Sequence, residues 1–287
     1  MPPEAVHWET ARFRIDLSRV RVMGVVNATP DSFSDGDPLQ GSAEAVRRCE
    51  QLVCEGADLL DVGGESTRPG AEPVPVEVEL QRLLPVLRAA LTLGVPVSVD
   101  TRRTEVMRAA LDLGADVIND IGALRAPGAL DAVAAHPRCG VVLMHMRGEP
   151  QGMQREAVYV DVVAEVARFL RERLEASTSR GIDPTRIVLD PGIGFGKTAL
   201  HNLELLRRQH ELTAIGRPLL VGWSRKATLG MLTGRPVAER TVASVAAALA
   251  AVARGARVVR VHDVAATVDA LAVWEAADLE SAGPGAG

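Results

Sequence analysis

The chain has 287 residues, 47% hydrophobic and 24% charged, with 32 basic residues against 37 acidic ones and a formal net charge of −5. That length can bury a substantial core as one large barrel or two ordinary domains, and the acidic balance excludes a generic nucleic-acid surface. No stretch approaches the roughly 18 uninterrupted apolar residues of a membrane span, and Met1-Pro2-Pro3-Glu4 has no basic region followed by an apolar run, so a soluble cytoplasmic protein is expected.

Residues 1–19 read as a lead-in. Residues 20–26 are a β-rich apolar run that stops at a polar loop, 27–36, punctuated by Pro30 and Gly36. Residues 42–55 carry apolar or small side chains at Ala45, Val46, Cys49, Leu52 and Val53, a helical period that Gly56 ends. A strand over 58–62 runs into the loop 63–71, and an amphipathic helix over 76–93 closes at Gly94.

The unit of strand, loop, helix and glycine then repeats. Strands are expected over 95–99, 116–118 and 140–143, with helices over 104–113 and 160–180 stopped by Gly114 and Gly181. The strand 187–189 meets Asp190 and the loop Pro191-Gly192-Ile193-Gly194-Phe195-Gly196-Lys197, followed by a helix over 200–210. A strand over 218–221, an alanine-rich helix over 237–254 ended by Gly255, a strand over 257–261 and a helix to about 278 complete the pattern. Residues 279–287 have nothing to bury and should be a disordered tail.

Parallel βα units repeated in this way, with Val, Ile and Leu in the strands and amphipathic helices between them, predict a single (β/α)8 barrel over residues 20–278. An open doubly wound sheet would usually carry a glycine-rich fingerprint in its first βα turn, and Asn27-Ala28-Thr29-Pro30 is not one. The 191–198 loop fits neither nucleotide motif: Pro191 stands where a phosphate-cradling loop needs glycine, and the spacing 192, 194, 196 misses Gly-x-Gly-x-x-Gly. Cys49, Cys54 and Cys139 form no Cys-x-x-Cys pair, and no His-x-x-x-His spacing is present, so neither zinc nor a structural disulfide is expected.

A lone strand-end Asp most often caps the next turn, so Asp190 is decided by the other strand ends. Those ends carry Asn27, Asp61, Asp100, Asn119, Met144 with His145, Asp190, Lys226, and Arg260 with His262, whereas Gly56, Gly94, Gly114, Gly140 and Gly255 dominate the opposite end. That asymmetry points to a site at the C-terminal mouth, where barrels of this kind build their chemistry. Asp100, Asn119 and Asp190 match the donors and acceptors of an amino-pyrimidinone edge. Arg260, His262 and Asn27 suit an oxyanion such as pyrophosphate with Mg2+, and Met144 and Phe195 could cover a flat ring. Neither Cys139 nor Ser224 has an obvious base beside it, and no covalent nucleophile is required.

Over about residues 20–275 the chain resembles the bacterial dihydropteroate synthases. The resemblance is carried by the stretches 27–36 and 63–71, by Ser98-Val99-Asp100-Thr101, Ile118-Asn119-Asp120, Met144-His145-Met146 and 190–197, and by Ser224-Arg225-Lys226 and Arg260-Val261-His262-Asp263. It departs at Ala28, where a β-branched residue is usual, and at Asp37, which replaces a second glycine. The resemblance implies a cytoplasmic transferase of folate biosynthesis, a sulfonamide target, that joins dihydropterin pyrophosphate to p-aminobenzoate. Asp100, Asn119, Ile121, Met144, Asp190, Phe195 and Lys226 would then hold the pterin, with Asn27, Arg260 and His262 on the pyrophosphate and Asn27 on Mg2+. Phe33, Thr67, Arg68, Pro69, Ser224 and Lys226 would shape the p-aminobenzoate pocket, Asp35 would help the first loop close, and a homodimer is expected. Of these, Asp100, Asp190, Lys226 and Asn27 would be the catalytic set. Two other readings are a pterin-binding methyltransferase of the corrinoid-linked type, which would not need Glu65 to Gly70 or Ser224-Arg225-Lys226, and a non-catalytic pterin-binding paralogue.

Overall fold

Hydrophobic alternation becomes a closed barrel. The computed structural model describes residues 7–28, 38–66, 73–148, 152–153 and 157–277. Phe33, Asp35, Thr67, Arg68 and Pro69, and the tail 279–287, lie outside the described residues. A short antiparallel hairpin, β1 (His7–Glu9) and β2 (Arg14–Asp16), precedes the first barrel strand, β3 (Arg21–Asn27). Then come α1 (Pro38–Cys54), β4 (Leu59–Gly63), α2 (Val76–Ala90), β5 (Val97–Asp100), α3 (Thr104–Leu113), β6 (Val117–Asp120) and α4 (Ala129–Ala135). The second half runs β7 (Gly140–Met144), α5 (Val162–Ser179), β8 (Ile187–Asp190), α6 (Ala199–Arg207), α7 (His210–Thr213) and β9 (Leu219–Val221). It ends with α8 (Ala227–Thr233), α9 (Thr241–Val252), β10 (Ala256–Val261) and α10 (Val264–Ala276). Strands β3 to β10 pair in parallel, and β10 returns to β3 to close the ring. Among the described residues no helix is long and apolar enough to cross a membrane.

The hairpin is the part that periodicity could not show. Residues 1–19 were expected only to lead in, yet Trp8, Ile15 and Leu17 pack into one cluster with Met23, Leu59, Val117, Val142, Val188, Leu220 and Val258. The hairpin therefore plugs the barrel's N-terminal end. Trp8 Nε1 donates to Arg186 O at 2.9 Å, and Arg12 forms a bidentate pair with the fully buried Asp116. At Gly140 a Cβ would come within 3.1 Å of Trp8 Nε1, so the start of β7 is kept small by the plug.

Two helical expectations are also revised. The helix expected over 237–254 begins only at Thr241, because Gly234 (φ 69°) ends the separate α8 and Pro236 opens a 3-10 turn over Val237–Glu239. The helix expected to reach residue 210 stops at Arg207, and a separate single turn, α7, follows. Helix α4, only seven residues long, was not expected at all.

Candidate active site

Side chains alternate along a strand, so the residue two places beyond each plug-layer residue points to the same interior. From Leu59, Val117, Val142, Val188 and Val258 that step reaches Asp61, Asn119, Met144, Asp190 and Arg260. The apolar floor of the barrel is thus overlaid by a polar layer. Register makes neighbours of Asp100 and Asn119 across β5 and β6, and of Met144 and Asp190 across β7 and β8.

Asp61, fully buried, is the hub. Its Oδ2 accepts from Arg260 Nε at 2.6 Å and from Asn119 Nδ2 at 3.0 Å, while Arg260 NH2 reaches Asp100 Oδ2 at 2.8 Å. Such charge-assisted bonds fix the guanidinium between two carboxylates. Burial works against the Arg260 charge, but Asp61 and Asp100 overcome it and raise its pKa. Burial drives the Asp100 pKa upward, opposed by Arg260 and reinforced by Asp61. Among the described residues, the buried Asp61 Oδ1, Asp100 Oδ1 and Ser98 Oγ have no hydrogen-bond partner. Buried acceptors left in this way call for donors from a ligand or water.

On the other side of the mouth, Asp190 Oδ1 accepts from Gly192 N at 2.6 Å. Burial raises its pKa to about 6, against that hydrogen bond and the charges of Lys226, Arg260 and Lys197. Lys226 has its pKa lowered to about 8 by burial and by Arg260, with Asp190 and Asp100 opposing. Its Nζ stands 4.3 Å from the centre of the Phe195 ring. Ile121, Met144, Met146 and Met153 cluster with Phe195 into an apolar surface, which suits one face of a planar ligand.

The anion group is divided. Arg260 is engaged with the two carboxylates, whereas His262 Nδ1 lies 3.0 Å from Ser224 Oγ, which also accepts from His262 N. Between Ser224 and Lys226, Arg225 adopts a positive φ of 60° and binds both oxygens of Asp263. Asn27 ends β3 half-buried, and among the described residues its side chain makes no hydrogen bond. No group of three His, Cys, Asp or Glu side chains suited to a metal occurs among the described residues. Mg2+ keeps several waters and takes substrate phosphates alongside few protein oxygens, so at this mouth the amide oxygen of Asn27 would hold it together with phosphate and water rather than the carboxylate that is more usual.

Three features of the site escaped sequence reasoning. Asp61 was noted at a strand end but given no role. Glu65 binds Arg103 at 2.8 Å and accepts from Val74 N at 3.1 Å, while Thr101 donates to the buried Glu79 at 2.7 Å. Lys197 is 2% exposed, and its ammonium touches His145 Nδ1, Gly192 O and Phe195 O, each at 2.9 Å. The only sequence signal for Lys197 was its place at the end of the glycine-punctuated loop.

Comparison with known proteins accords with this geometry. A family described as pterin binding enzyme matches residues 23–262. A dihydropteroate synthase of Neisseria meningitidis serogroup B is 54% identical over 275 residues, covering 94% of this chain and 96% of that protein. Dihydropteroate synthase of Xanthomonas albilineans, solved with 4-aminobenzoic acid, superposes with a TM-score of 0.90 at 52% identity, covering 98% of this chain and 100% of that one. The same enzyme in complex with 7,8-dihydropteroate gives 0.87 at 49% identity, covering 97% and 100%.

Proposed function

The chain belongs to the dihydropteroate synthases within the pterin-binding enzymes, and on that premise we propose how its barrel mouth joins dihydropterin pyrophosphate to p-aminobenzoate. The observation that carries this reading is the layer of buried Asp61, Asp100, Asn119 and Asp190 with the half-buried Arg260, beside the Ile121, Met144 and Phe195 surface. Asp100, Asn119 and Asp190 take the amino-pyrimidinone edge, and Arg260 and Lys226 donate across the ring. Ser224 and Lys226 border the aryl amine, and His262 with Asn27 meets the pyrophosphate.

The step is dissociative. The bond from the pterin methylene carbon to oxygen breaks, its electron pair leaves with pyrophosphate, and the amine lone pair forms the new C–N bond as one proton is released. Mg2+, held through Asn27 and the phosphates, would supply positive charge that favours this departure. Asp190, ionised, stabilises the positive charge that spreads into the pterin, and preorganised charge of this kind needs no covalent intermediate.

Pyrophosphate release that requires both substrates and Mg2+ is the expected result in a coupled assay, and no release from the folded protein would overturn the reading. Its pH dependence follows from two side chains. Asp190 must have lost its proton and Lys226 must have kept its own, so kcat/KM for the pterin substrate should rise through about 6 and fall through about 8. A profile flat from about pH 5 to about pH 9 would remove both groups from the reaction.

We also expect a homodimer. Met231, Leu232, Val237 and Val242 are exposed along α8, the 3-10 turn and the start of α9, a run of large apolar side chains that a second copy would cover. A monomeric mass by light scattering at micromolar concentration would end that expectation.

A further inference from the structure

Lys197 is a buried lysine with no carboxylate at ion-pair distance among the described residues, and no bond-making or bond-breaking step involves it. A methionine would fill such a place without the cost of desolvating a charge. What the ammonium gains is acceptors. Its three N–H bonds meet His145 Nδ1, Gly192 O and Phe195 O at 2.9 Å, and His145 O lies at 3.3 Å. Those groups belong to two different loops, after β7 and after β8, and the loops are in backbone contact: a Cβ at Gly192 would overlap His145 O, and one at Gly196 would overlap Arg147 O.

Each bond leads to the pocket by one step. The Gly192 carbonyl that Lys197 grips belongs to the residue whose N–H binds Asp190 Oδ1. The Phe195 carbonyl belongs to the residue whose ring stands beside Lys226 Nζ. His145 follows Met144 directly, and its ring packs edge-on against Phe169 at 4.9 Å. We propose that Lys197 is a positioning residue of the pterin pocket, its ammonium stapling the β7 and β8 loops so that Gly192 N stays on Asp190 and the Phe195 ring stays beside Lys226. The staple rests on the pocket reading given above.

The tautomer of His145 sets the direction of one of these bonds. Burial, with Lys197 and Arg147, pushes the His145 pKa down to about 2, so the ring is neutral and its Nδ1 accepts from the lysine, leaving the proton on Nε2. Burial, with Lys226 and Arg147, also lowers the Lys197 pKa well below its usual value, opposed by Asp190. The titratable groups that face Lys197 are Asp190 at the end of β8, Lys226 at the start of α8, His145 and Arg147 after β7, and His201 on α6. Its charge helps to keep Asp190 ionised.

The test compares Lys197→Met with Asp190→Asn in the full chain. Folded K197M should show a KM for the pterin substrate raised at least about tenfold, and the acid limb of its kcat/KM profile should move upward by about half a pH unit or more, because the cation near Asp190 is gone. A purely structural lysine would leave that limb in place. K197M with KM within about twofold of wild type and an unmoved limb, while D190N weakens pterin binding, would overturn the staple. Unchanged pterin binding in D190N would overturn the pocket reading, and the staple with it. If K197M does not fold, His145→Asn and His145→Leu carry the test, since Asn offers an oxygen near the place of Nδ1 and Leu offers none. A KM near wild type for H145N beside a tenfold rise for H145L supports the proposal, and equal behaviour of the two overturns it.

Discussion

Arg260→Met should reduce synthase kcat/KM by at least about a thousandfold and destabilise the fold by about 3–5 kcal/mol, the usual cost of removing one partner from a buried charge group. Arg260 is the cation between Asp61 and Asp100, with contacts of 2.6 and 2.8 Å, and Asp61 is fully buried. Methionine would leave two carboxylates facing each other's charge with no guanidinium between them. Arg260→Lys should recover only part of the loss, because one ammonium cannot reproduce a planar fork aimed at two separate acceptors.

The pH dependence of that loss has a definite sign. Burial already holds the Asp100 pKa above its unfolded value, and Arg260 is the first group opposing the rise. Without Arg260 the folded-state pKa climbs further, so the folded chain binds a proton that the unfolded chain has released. Stability then falls as pH rises from the unfolded pKa through the folded one. The deficit of Arg260→Met relative to wild type should therefore be larger at about pH 8 than at about pH 5 in urea melts. Equal deficits at both pH values, together with turnover within tenfold of wild type, would show that Asp61 and Asp100 do not depend on this arginine.

The polar layer was legible because a barrel strand obeys a period of two. Val188 on the floor requires Asp190 at the mouth, and the same step from Val117 reaches Asn119. Partners were not legible in that way. Asp61 meets Asn119 and Arg260, which lie 58 and 199 positions along the chain, so nothing local marks it as a hub. Arg260 and His262 were grouped on the anion for their donor chemistry; their bonding partners, Asp61 and Asp100 for one and Ser224 for the other, come from neighbouring βα units. The hairpin failed to show for a related reason: three-residue strands are too short for alternation to register, and what holds them is Trp8 on Arg186 and Arg12 on Asp116. Helix α4 has only seven residues, about two turns, too few to establish a helical period.

The structure gives the glycines after β8 a cause with its own test. Gly192, Gly194 and Gly196 have φ of 66°, 87° and 61°, so a side chain at any of them costs about 1–2 kcal/mol from the backbone alone. What a Cβ would meet differs between them. At Gly192 it would overlap His145 O, a backbone atom of the neighbouring loop, whereas at Gly194 it would stand 3.2 Å from Lys226 Cδ, part of a flexible side chain. Gly192→Ala can be accommodated only by parting the β7 and β8 loops, which breaks the Lys197 bonds and withdraws Gly192 N from Asp190. It should cost about 3 kcal/mol or more, and with it at least a hundredfold in turnover, by adding the loss of those buried bonds to the strained φ. Gly194→Ala should cost about 1–2 kcal/mol and act chiefly by displacing Lys226, raising KM more than it lowers the melting temperature. Thermal melts and steady-state kinetics on the two variants separate these outcomes, and a Gly194→Ala protein less stable than Gly192→Ala would mean that the two loops are not in contact as described.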